Sequence, residues 1–365
     1  MEAALYGPAG FYVVGEGAAG HFRTSVSASS SVCGIFAGAI AELLDRVDCS
    51  LGHPDQLDLV DVGGGSGELL AAVLPALGSG LCERVRPCVV ERRPRPPGLP
   101  PYVRWLVHVP DTVGLLIANE WLDNIAVDVA DVPVDEDNSD AAGAGRVLLV
   151  DAKGTEVPGP SLTAEEQAWL RLWWPSGRRR EIGLYRDAAW AVAVSRVRRG
   201  LAVAIDYTHT ADDRPAYGTL TGFRLGRETA PIPDGSCDLT AHVTIDSVAA
   251  AGEAALVAAR RTQAAVAARR RQAAVAASVA APREHAGAAA NGAAARTLLT
   301  DQRTALRALG VSGGRPDYRA DPGGYAAALQ RASDSTELID PAGLGAFAWL
   351  LQGIDLDPAA ILSRS

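Results

Sequence analysis

The chain has 365 residues, of which 48% are hydrophobic and 21% are charged, and it carries 43 acidic against 34 basic side chains. This length and composition allow a substantial hydrophobic core, and the formal net charge of −9 argues against a dedicated nucleic-acid-binding protein. Lys153 is the only lysine, which excludes the P-loop NTPases because their phosphate loop needs a lysine after its last glycine.

The sequence also bears on location and on metal binding. No run of eighteen or more apolar residues occurs, and the first ten residues lack the features of a signal peptide, so we expect no membrane span. The five cysteines are scattered without a C-x-x-C pair, which is typical of reduced, buried thiols in a cytoplasmic protein. The six histidines form no H-x-x-x-H or H-E-x-x-H pair, so no metal site is predicted.

In chain order, the first half of the sequence alternates between helical and strand-like patterns. Apolar residues at helical spacing predict a helix over Val32–Val47. Short apolar runs predict strands at Leu57–Val62, Arg86–Glu91, Val103–Val109 and Gly114–Ala118, with a helix at Glu68–Leu77. This alternation predicts a doubly wound α/β sheet.

The middle of the chain predicts an added layer within one sheet domain. Residues 133–145 are acidic and rich in turn-forming residues, which favours a loop. The patterns that follow predict a strand at Val147–Asp151, a helix at Thr163–Trp174 with a T-x-x-E cap, a helix over 185–199 and a strand at Leu201–Asp206. Leu201–Asp206 is an apolar run like the earlier predicted strands and is expected to belong to the same sheet. Residues 120–180 are therefore expected to contain an insertion.

The stretch from Glu253 to Ala295 is rich in alanine and arginine and contains an imperfect nine-residue repeat at Arg260–Ala267 and Arg269–Ala276. Nine residues turn an α-helix about two and a half times, so successive arginine clusters fall on opposite faces. This favours a solvated helix or a disordered arm over a core element, with a basic arm that contacts an acidic partner or nucleic acid as the alternative. Beyond it we expect helices at 298–309, 323–332 and 342–352.

The central motif is a glycine loop between the first predicted strand and the helix that follows it. Asp61 precedes glycines at 63, 65 and 67, and Glu68 stands where a dinucleotide-binding fingerprint would need its third glycine. The spacing matches D-x-G-x-G-x-G, the first motif of Rossmann-like S-adenosylmethionine (SAM) methyltransferases. A purely structural glycine turn is the alternative.

Polar side chains also stand at the ends of two further predicted strands, Arg86–Glu91 and Gly114–Ala118. Glu91 ends one of them and could accept both hydrogen bonds of a ribose diol, or it could be a solvated acid. Asn119 ends the other and is followed by Glu120 and Asp123, which would face one direction if they lay in a helical turn. Two acids that cap the next helix are the alternative there. Since parallel strands end at one edge of a sheet, these groups are expected to lie together.

Several ordered motifs resemble the MidA-like methyltransferases, the bacterial and mitochondrial relatives of the respiratory complex I assembly methyltransferase. They are LYGPAGFY, GHFRTS, LDLVDVGGGSGELL, LIANEWLDN, RGLAVAIDY, GTLTGF, GSCDLTAHV and GLGAFAWLLQ. The resemblance covers most of the chain except residues 131–180 and 253–297.

The resemblance implies a class I methyltransferase fold with added helices and strands, SAM as cofactor, and methylation of an arginine on a complex I subunit. Carried over by matching motif, Asp61, Gly63, Gly65 and Gly67 would line the methionine end of SAM, and Glu91 would hold its ribose. The residues that match the family's patch beside the transferred methyl are Asn119, Glu120 and Asp123.

Three positions depart from the family pattern. Gly20-His21-Phe22 lacks the acid of the family's G-D-F, and Asn124-Ile125-Ala126 lacks a small residue and a proline. Asp206-Tyr207-Thr208 replaces Asp-Tyr-Gly. These departures concern the acceptor more than SAM binding.

Together these readings predict six segments and a mechanism. The segments are 1–50, covering substrate and cofactor; 51–130, the SAM-binding Rossmann-like half; 131–180, an insertion; 181–250, the rest of the sheet; 251–297, a low-complexity connection; and 298–365, a helical segment.

A guanidinium is cationic and has no free lone pair, so Glu120 and Asp123 could clamp it by bidentate hydrogen bonds while its proton leaves. The alternatives are a small-molecule acceptor, with the insertion as a lid, and a non-catalytic SAM-binding assembly factor. The partner predicted first is a protein substrate, and the sequence does not specify an oligomeric state.

Overall fold

The computed structural model describes residues 1–14, 26, 30–133, 145–277 and 296–363. Its strands, numbered in chain order, are β1 (Leu57–Val62), β2 (Val85–Val90), β3 (Arg104–Leu106), β4 (Thr112–Asn119), β5 (Asp128–Asp131), β6 (Arg146–Val150), β7 (Glu156–Ser161), β8 (Arg179–Ile182), β9 (Val197–Asp206), β10 (Thr208–His209), β11 (Thr221–Arg224), β12 (Arg227–Thr229), β13 (Asp238–Thr240), β14 (Val243–Thr244), β15 (Arg296–Asp301) and β16 (Ala348–Ile354). Its helices are α1 (Glu2–Tyr6), α2 (Phe11–Val14), α3 (Ser30–Leu51), α4 (Glu68–Val73), α5 (Ser79–Cys82), α6 (Ala164–Trp173), α7 (Leu184–Ser195), α8 (Ile245–Ala277), α9 (Gln302–Ala308), α10 (Tyr325–Leu338) and α11 (Pro358–Ser363). Two short 3-10 turns lie at Leu74–Ala76 and Leu344–Ala346.

Seven strands form the central sheet, in the order β15-β16-β9-β4-β1-β2-β3. Strands β9, β4, β1, β2 and β3 run parallel, whereas β16 is antiparallel to β9 and β15 is antiparallel to β16. The sheet confirms the predicted α/β class. It also brings the carboxyl ends of β1, β2, β4 and β9 to one edge, which is where ligands bind in open α/β sheets.

Helices cover both faces of this sheet. On one face α3, α4, α9, α10 and α11 pack against alternate strand residues such as Leu59, and on the other face α7 and α8 pack against residues such as Val60. Within α3, Phe36, Ile40 and Leu44 are fully buried at helical spacing, as the sequence pattern predicts. Burial on both faces explains why the central strands are apolar runs rather than alternating ones.

The insertion forms a second, antiparallel sheet in the order β7-β6-β5-β8, with α6 packed against it. The predicted cap of α6 is present: the Thr163 hydroxyl accepts from the Glu166 amide at 3.2 Å, and the Glu166 carboxylate accepts from the Thr163 amide at 2.6 Å. Trp169 and Leu170 of α6 are buried in this layer. Most of the loop predicted at 133–145 lies outside the described residues.

The sequence-based prediction for the C-terminal segment is wrong in part. Residues 342–352, predicted as a helix, contain a 3-10 turn and most of β16, and the region predicted as a helix at 298–309 begins in β15. Every residue of β16 is buried between β9 and β15. A short apolar run suits a buried helix and a buried strand equally, so only the contacts with distant strands decide between them. This segment therefore adds two strands, β15 and β16, to the sheet, in addition to helices α9, α10 and α11.

The alanine- and arginine-rich region begins as helix α8, which continues to Ala277. Arg261 and Arg269 are exposed on it, in keeping with a solvated helix. Residues 278–295 lie outside the described part of the chain. Among the helices that the structure describes, none is long and apolar enough to cross a membrane.

The cysteine prediction is confirmed only for part of the set. All five cysteines are free, and Cys88 and Cys237 are buried. Cys49 and Cys82 are exposed because they lie on the solvent-facing sides of α3 and α5, so the expectation of buried thiols is wrong for these two.

The N-terminal helices α1 and α2 pack against residues on and next to β13. Leu5 of α1 and Phe11 of α2 form a small buried cluster with Cys237 and Leu239, on and next to β13. This packing brings α1 and α2 over the carboxyl edge of the central sheet. More than two hundred residues separate these helices from β13 in the sequence.

Candidate active site

The glycine loop leaves β1 at Val62 and enters α4 at Glu68. Gly63, Gly65 and Gly67 have φ angles of +71°, +60° and +87°, in the left-handed region that favours glycine. A Cβ atom would lie 2.3 Å from the Trp121 ring at Gly63 and 2.8 Å from Leu99 at Gly67. Both the backbone conformation and the space therefore require glycine in this loop.

Asp61, at the end of β1, is the most unusual charge in the loop. Its side chain is 2% exposed, and its Oδ2 atom has no hydrogen-bond partner among the described residues. Burial, with smaller effects from Glu68 and Glu91, raises the pKa of its carboxyl from 3.8 to about 7. A buried carboxylate with one oxygen that has no partner among the described residues is complementary to a positively charged ligand group.

Glu91, directly after β2, connects the end of that strand to the glycine loop. Its carboxylate accepts hydrogen bonds from the backbone amides of Gly65 at 3.2 Å, Arg92 at 2.7 Å and Arg93 at 3.0 Å. Its side chain is only 13% exposed. Glu91 is therefore not a solvated acid, and its carboxylate has a fixed position on the wall of the cavity next to the glycine loop.

The end of β4 places two more polar side chains on this wall. Asn119 is the last residue of the strand, and its amide donates to Glu120 Oε1 at 3.1 Å. Glu120 adopts a φ of +52°, which is strained for a residue with a side chain, and its backbone amide donates to the carbonyl of Ile205 at 2.8 Å. Buried Asn119 Oδ1 has no hydrogen-bond partner in the described part of the chain.

Asp123 lies behind the wall, and the helical turn that would have aligned it with Glu120 does not form. Its side chain is 4% exposed and accepts hydrogen bonds from Asn124 Nδ2 at 2.9 Å and from the Thr240 hydroxyl at 3.0 Å. Burial raises the pKa of its carboxyl, against the opposing effect of nearby Arg186. Glu120 and Asp123 are thus close in the chain but face different surroundings.

Two buried charged groups hold the 120–125 loop in place. Asp206, at the end of β9, accepts hydrogen bonds from the backbone amides of Leu122 at 2.9 Å and Asp123 at 3.3 Å. Arg186 of α7 is 2% exposed and donates to the carbonyls of Asp123, Ile125, Ala241 and His242 at 2.7 to 3.0 Å. No local sequence pattern distinguishes Arg186 from other helical arginines, so sequence reasoning missed it.

The glycine loop, Glu91 and the end of β4 open on one cavity of about 1230 Å³. Its other walls come from α1, α2 and α7, including Tyr6, Tyr12 and Tyr185. Along the described lining, six carboxylates outnumber three guanidinium groups: Glu2, Asp61, Glu68, Glu91, Glu120 and Asp128 against Arg92, Arg93 and Arg196. The cavity therefore favours cationic ligands.

Other sequence expectations fall outside this cavity. Gly20, His21 and Phe22 lie outside the described residues. Tyr207 is not part of the lining and packs against Phe347, with the rings tilted by 52° and their centroids 3.9 Å apart. Within the described ranges, no group of three or more His, Cys, Asp or Glu side chains is arranged to hold a metal ion.

Comparison with known proteins assigns this site to a family. A family model for S-adenosyl-L-methionine-dependent methyltransferases matches residues 37–262. A COG1565 superfamily protein from Burkholderia thailandensis, bound to S-adenosyl-homocysteine, aligns over 98% of this chain and 87% of its own at 22% identity, with a TM-score of 0.69. A native structure of an uncharacterized protein of that superfamily and organism aligns over 99% and 88% at 22% identity, with a TM-score of 0.70. No curated protein matches the sequence.

The chain therefore belongs to the S-adenosyl-L-methionine-dependent methyltransferase family, which confirms the predicted enzyme class and SAM as its cofactor. The residues present fit this cofactor. SAM carries an ammonium group, and the cavity offers it the Asp61 carboxylate, whose Oδ2 atom has no partner among the described residues. The glycine loop leaves backbone rather than side chains at its surface, and a mostly acidic lining suits a sulfonium cation.

Proposed function

We propose that this methyltransferase methylates an arginine of a protein substrate and acts in the assembly of a respiratory complex. The observation that carries the proposal is the position of Glu120, whose strained backbone at the end of β4 presents a carboxylate to the cavity. The motifs that resemble the MidA-like family point to the same acceptor.

On the cofactor side, each wall of the cavity offers a group of suitable chemistry. We propose that Asp61 pairs with the ammonium group, that the backbone of Gly63, Gly65 and Gly67 follows the methionine end, and that Glu91 accepts from the ribose hydroxyls. Asn119 would supply its buried Oδ1 as a further acceptor. When bound, SAM supplies a sulfonium-activated methyl group, and the protein chiefly has to hold the acceptor close to it and aligned.

On the acceptor side, Glu120 would hold the guanidinium by charge-assisted hydrogen bonds. The hydrogen bond from Asn119 fixes one carboxylate oxygen of Glu120, so the group is oriented before the acceptor arrives. Asp123 would act as a positioning residue, because its carboxylate holds the Asn124 amide and the Thr240 hydroxyl behind the loop. In this proposal Glu120 contacts the acceptor, whereas Asp123 supports the loop from behind.

The proposal is tested by incubating the purified protein with methyl-labelled SAM and a lysate of cells that lack it. We expect label in a polypeptide, released as methylarginine on acid hydrolysis, and we expect that polypeptide to be a subunit of respiratory complex I. Label only in small molecules would support a metabolite acceptor instead. SAM binding without label in any fraction would refute methyl transfer and favour a non-catalytic assembly factor.

Glu120→Gln is the matched variant for this assay. It keeps the size and shape of the side chain, removes its negative charge and replaces one acceptor oxygen by an NH2 donor. We expect SAM affinity to stay within about twofold, whereas labelling falls by about 10²-fold or more, because the lost interaction is one made with the reacting group. Unchanged labelling by Glu120→Gln would contradict the role of this carboxylate.

A further inference from the structure

The phenol of Tyr12 lies between the cavity wall and a buried carboxyl group. Its hydroxyl oxygen is 2.8 Å from Asn124 Oδ1 and 2.9 Å from Asp238 Oδ2. Tyr12 and Asn124 line the cavity, whereas Asp238, the first residue of β13, is completely buried. A chain of short hydrogen bonds therefore leads from the cavity to a carboxyl group that solvent does not reach.

The number of protons in this chain can be counted. A tyrosine hydroxyl carries one proton, yet the Tyr12 oxygen faces two acceptor oxygens. The Asn124 amide cannot be reversed to supply the second proton, because its Nδ2 already donates to the Glu120 carbonyl at 3.1 Å and to Asp123 Oδ1 at 2.9 Å. When Asp238 is ionised, Tyr12 donates to its Oδ2 atom. When Asp238 is protonated, it can donate to Tyr12 while Tyr12 donates to Asn124, which satisfies both oxygens.

The surroundings of Asp238 let this proton leave and return. Burial, together with the charge of Asp123, raises the pKa of the Asp238 carboxyl to about 7. Its Oδ1 atom has no hydrogen-bond partner within the described residues. The other titratable groups that face the pair are Tyr6 from α1, Asp123 from the loop after β4 and the neighbouring Cys237, and no cation lies against it in the structure as described.

The tyrosine itself stays protonated at rest. Burial and the nearby carboxylates raise the pKa of Tyr12 well above its usual range. Tyr12 can therefore pass a proton on only by receiving one at the same time, as the middle member of a relay. The apolar packing of Leu5 and Phe11 against Leu239 holds the tyrosine and the carboxyl group in register for this transfer.

We propose that Tyr12 and Asp238 form the proton-accepting relay of methyl transfer. The proposal rests on methyl transfer in this cavity, but it does not require the acceptor to be an arginine. The acceptor nitrogen forms a bond to the methyl carbon, and the carbon–sulfur bond breaks with its electron pair left on sulfur. The acceptor's N–H proton passes to Tyr12 Oη as the Tyr12 proton passes to Asp238 Oδ2.

The arrangement with the proton on Asp238 is the loaded form of the relay, after a proton has been received. In the form ready to react, Asp238 is ionised and accepts from Tyr12, and the hydroxyl oxygen presents its lone pairs toward Asn124 and the cavity. Charge balances because the proton neutralises one carboxylate while the sulfonium becomes a neutral thioether. Tyr12 is thus the proposed catalytic residue, and Asp238 acts through it.

The test compares Asp238→Asn and Tyr12→Phe with the wild type, with the exposed Asp234→Asn as the matched control four residues earlier in the chain. The first readout is the pH dependence of methyl transfer from labelled SAM into the lysate. We expect wild-type and control rates to rise with pH through about 7 as Asp238 ionises, and both relay variants to lose about 10²-fold or more together with this rise. Calorimetric SAM binding is expected to stay intact in all four proteins.

The second readout does not depend on activity. The infrared difference between wild type and Asp238→Asn, without SAM, isolates the carboxyl stretch of Asp238. We expect the band of a protonated, buried carboxyl group to disappear around pH 7. A band already absent at about pH 5.5 would overturn the proposal, since the group would then be ionised well below its expected titration.

The two proposals fail in different ways. If the wild type labels no component of the lysate at any pH, methyl transfer itself is refuted and the relay has no reaction to serve. If the wild type labels its acceptor and Asp238→Asn does so at the same rate with the same pH profile, only the relay is refuted. Should Tyr12→Phe fail to fold, Asp238→Asn and the infrared measurement still decide.

Discussion

Replacing Asp61 by asparagine should stabilise the protein without ligand while it weakens SAM binding. The wild-type carboxyl is 2% exposed, its Oδ2 has no partner among the described residues, and its pKa is raised to about 7. In the unfolded chain this carboxyl ionises at its ordinary pKa of 3.8. Between these two values the unfolded state has lost the proton that the folded state keeps, so the free energy of unfolding falls as pH rises.

The size of the effect follows from the two pKa values. A raised pKa gives stability that is fully present below the unfolded value and is lost by the time pH reaches the folded value. A difference of about three pKa units corresponds to about 4 kcal/mol, all of it missing above pH 7. Asparagine cannot ionise, but burial of its amide costs about 1–3 kcal/mol, so we expect a net gain of about 1–3 kcal/mol near pH 8.

The gain should itself depend on pH. Near pH 5.5 the wild-type carboxyl has lost only about 2 kcal/mol, so the advantage of Asp61→Asn should shrink by about 2 kcal/mol between pH 8 and pH 5.5. Urea unfolding followed by tryptophan fluorescence at both values measures this difference. Effects of other groups, such as Asp238, are common to both proteins and cancel in the comparison.

Asp58→Asn on the same strand is the matched control. Asp58 is equally buried at 2% exposure, but its carboxylate accepts from the Val113 amide at 2.8 Å and pairs with Arg86 at 2.9 Å. We expect its replacement to destabilise the protein by about 1–3 kcal/mol. The reasoning is refuted if Asp61→Asn is less stable than the wild type near pH 8, or if its advantage does not change with pH.

Asp61→Asn should also weaken SAM binding by about 10- to 150-fold in calorimetry, because a hydrogen bond to a charged group is worth about 1.5–3 kcal/mol. Gly65→Asp should abolish SAM binding, because its side chain would be strained at a φ of +60° and would occupy the surface of the loop that the cofactor needs; Gly78→Asp, in open space, is the calorimetric control and should bind normally. Arg186→Lys should lower the free energy of unfolding by about 2–4 kcal/mol, because one ammonium cannot reach the four carbonyls that the guanidinium holds. Stability within about 0.5 kcal/mol of the wild type would contradict that role of Arg186.

The part of the site that lies on consecutive strands of the sheet could be predicted from the sequence. The glycine loop depends on residues next to one another, and its position after a buried strand is a local pattern. Glu91 and Asn119 follow from the same rule, because the ends of parallel strands meet at one edge. The sequence predicts that these residues lie together, and the structure brings them to one cavity.

The rest depends on contacts between distant residues. Tyr12 and Asp238 are 226 positions apart, and Arg186 reaches the carbonyls of Asp123 and His242 from a third region. The strand character of β16 likewise appears only when its neighbours are known. No local pattern contains these pairings, so neither the support of the loop nor the relay could be read from the sequence.

The same long-range contacts explain how the chain accommodates its departures from the MidA-like pattern. Where that pattern continues with a small residue, this chain has Asn124, whose side chain contacts the Asp123 carboxylate, the Glu120 carbonyl and the Tyr12 hydroxyl. The next residue, Ile125, supplies its backbone carbonyl to Arg186. The substituted residue and its neighbour thus take part in holding the loop rather than loosening it.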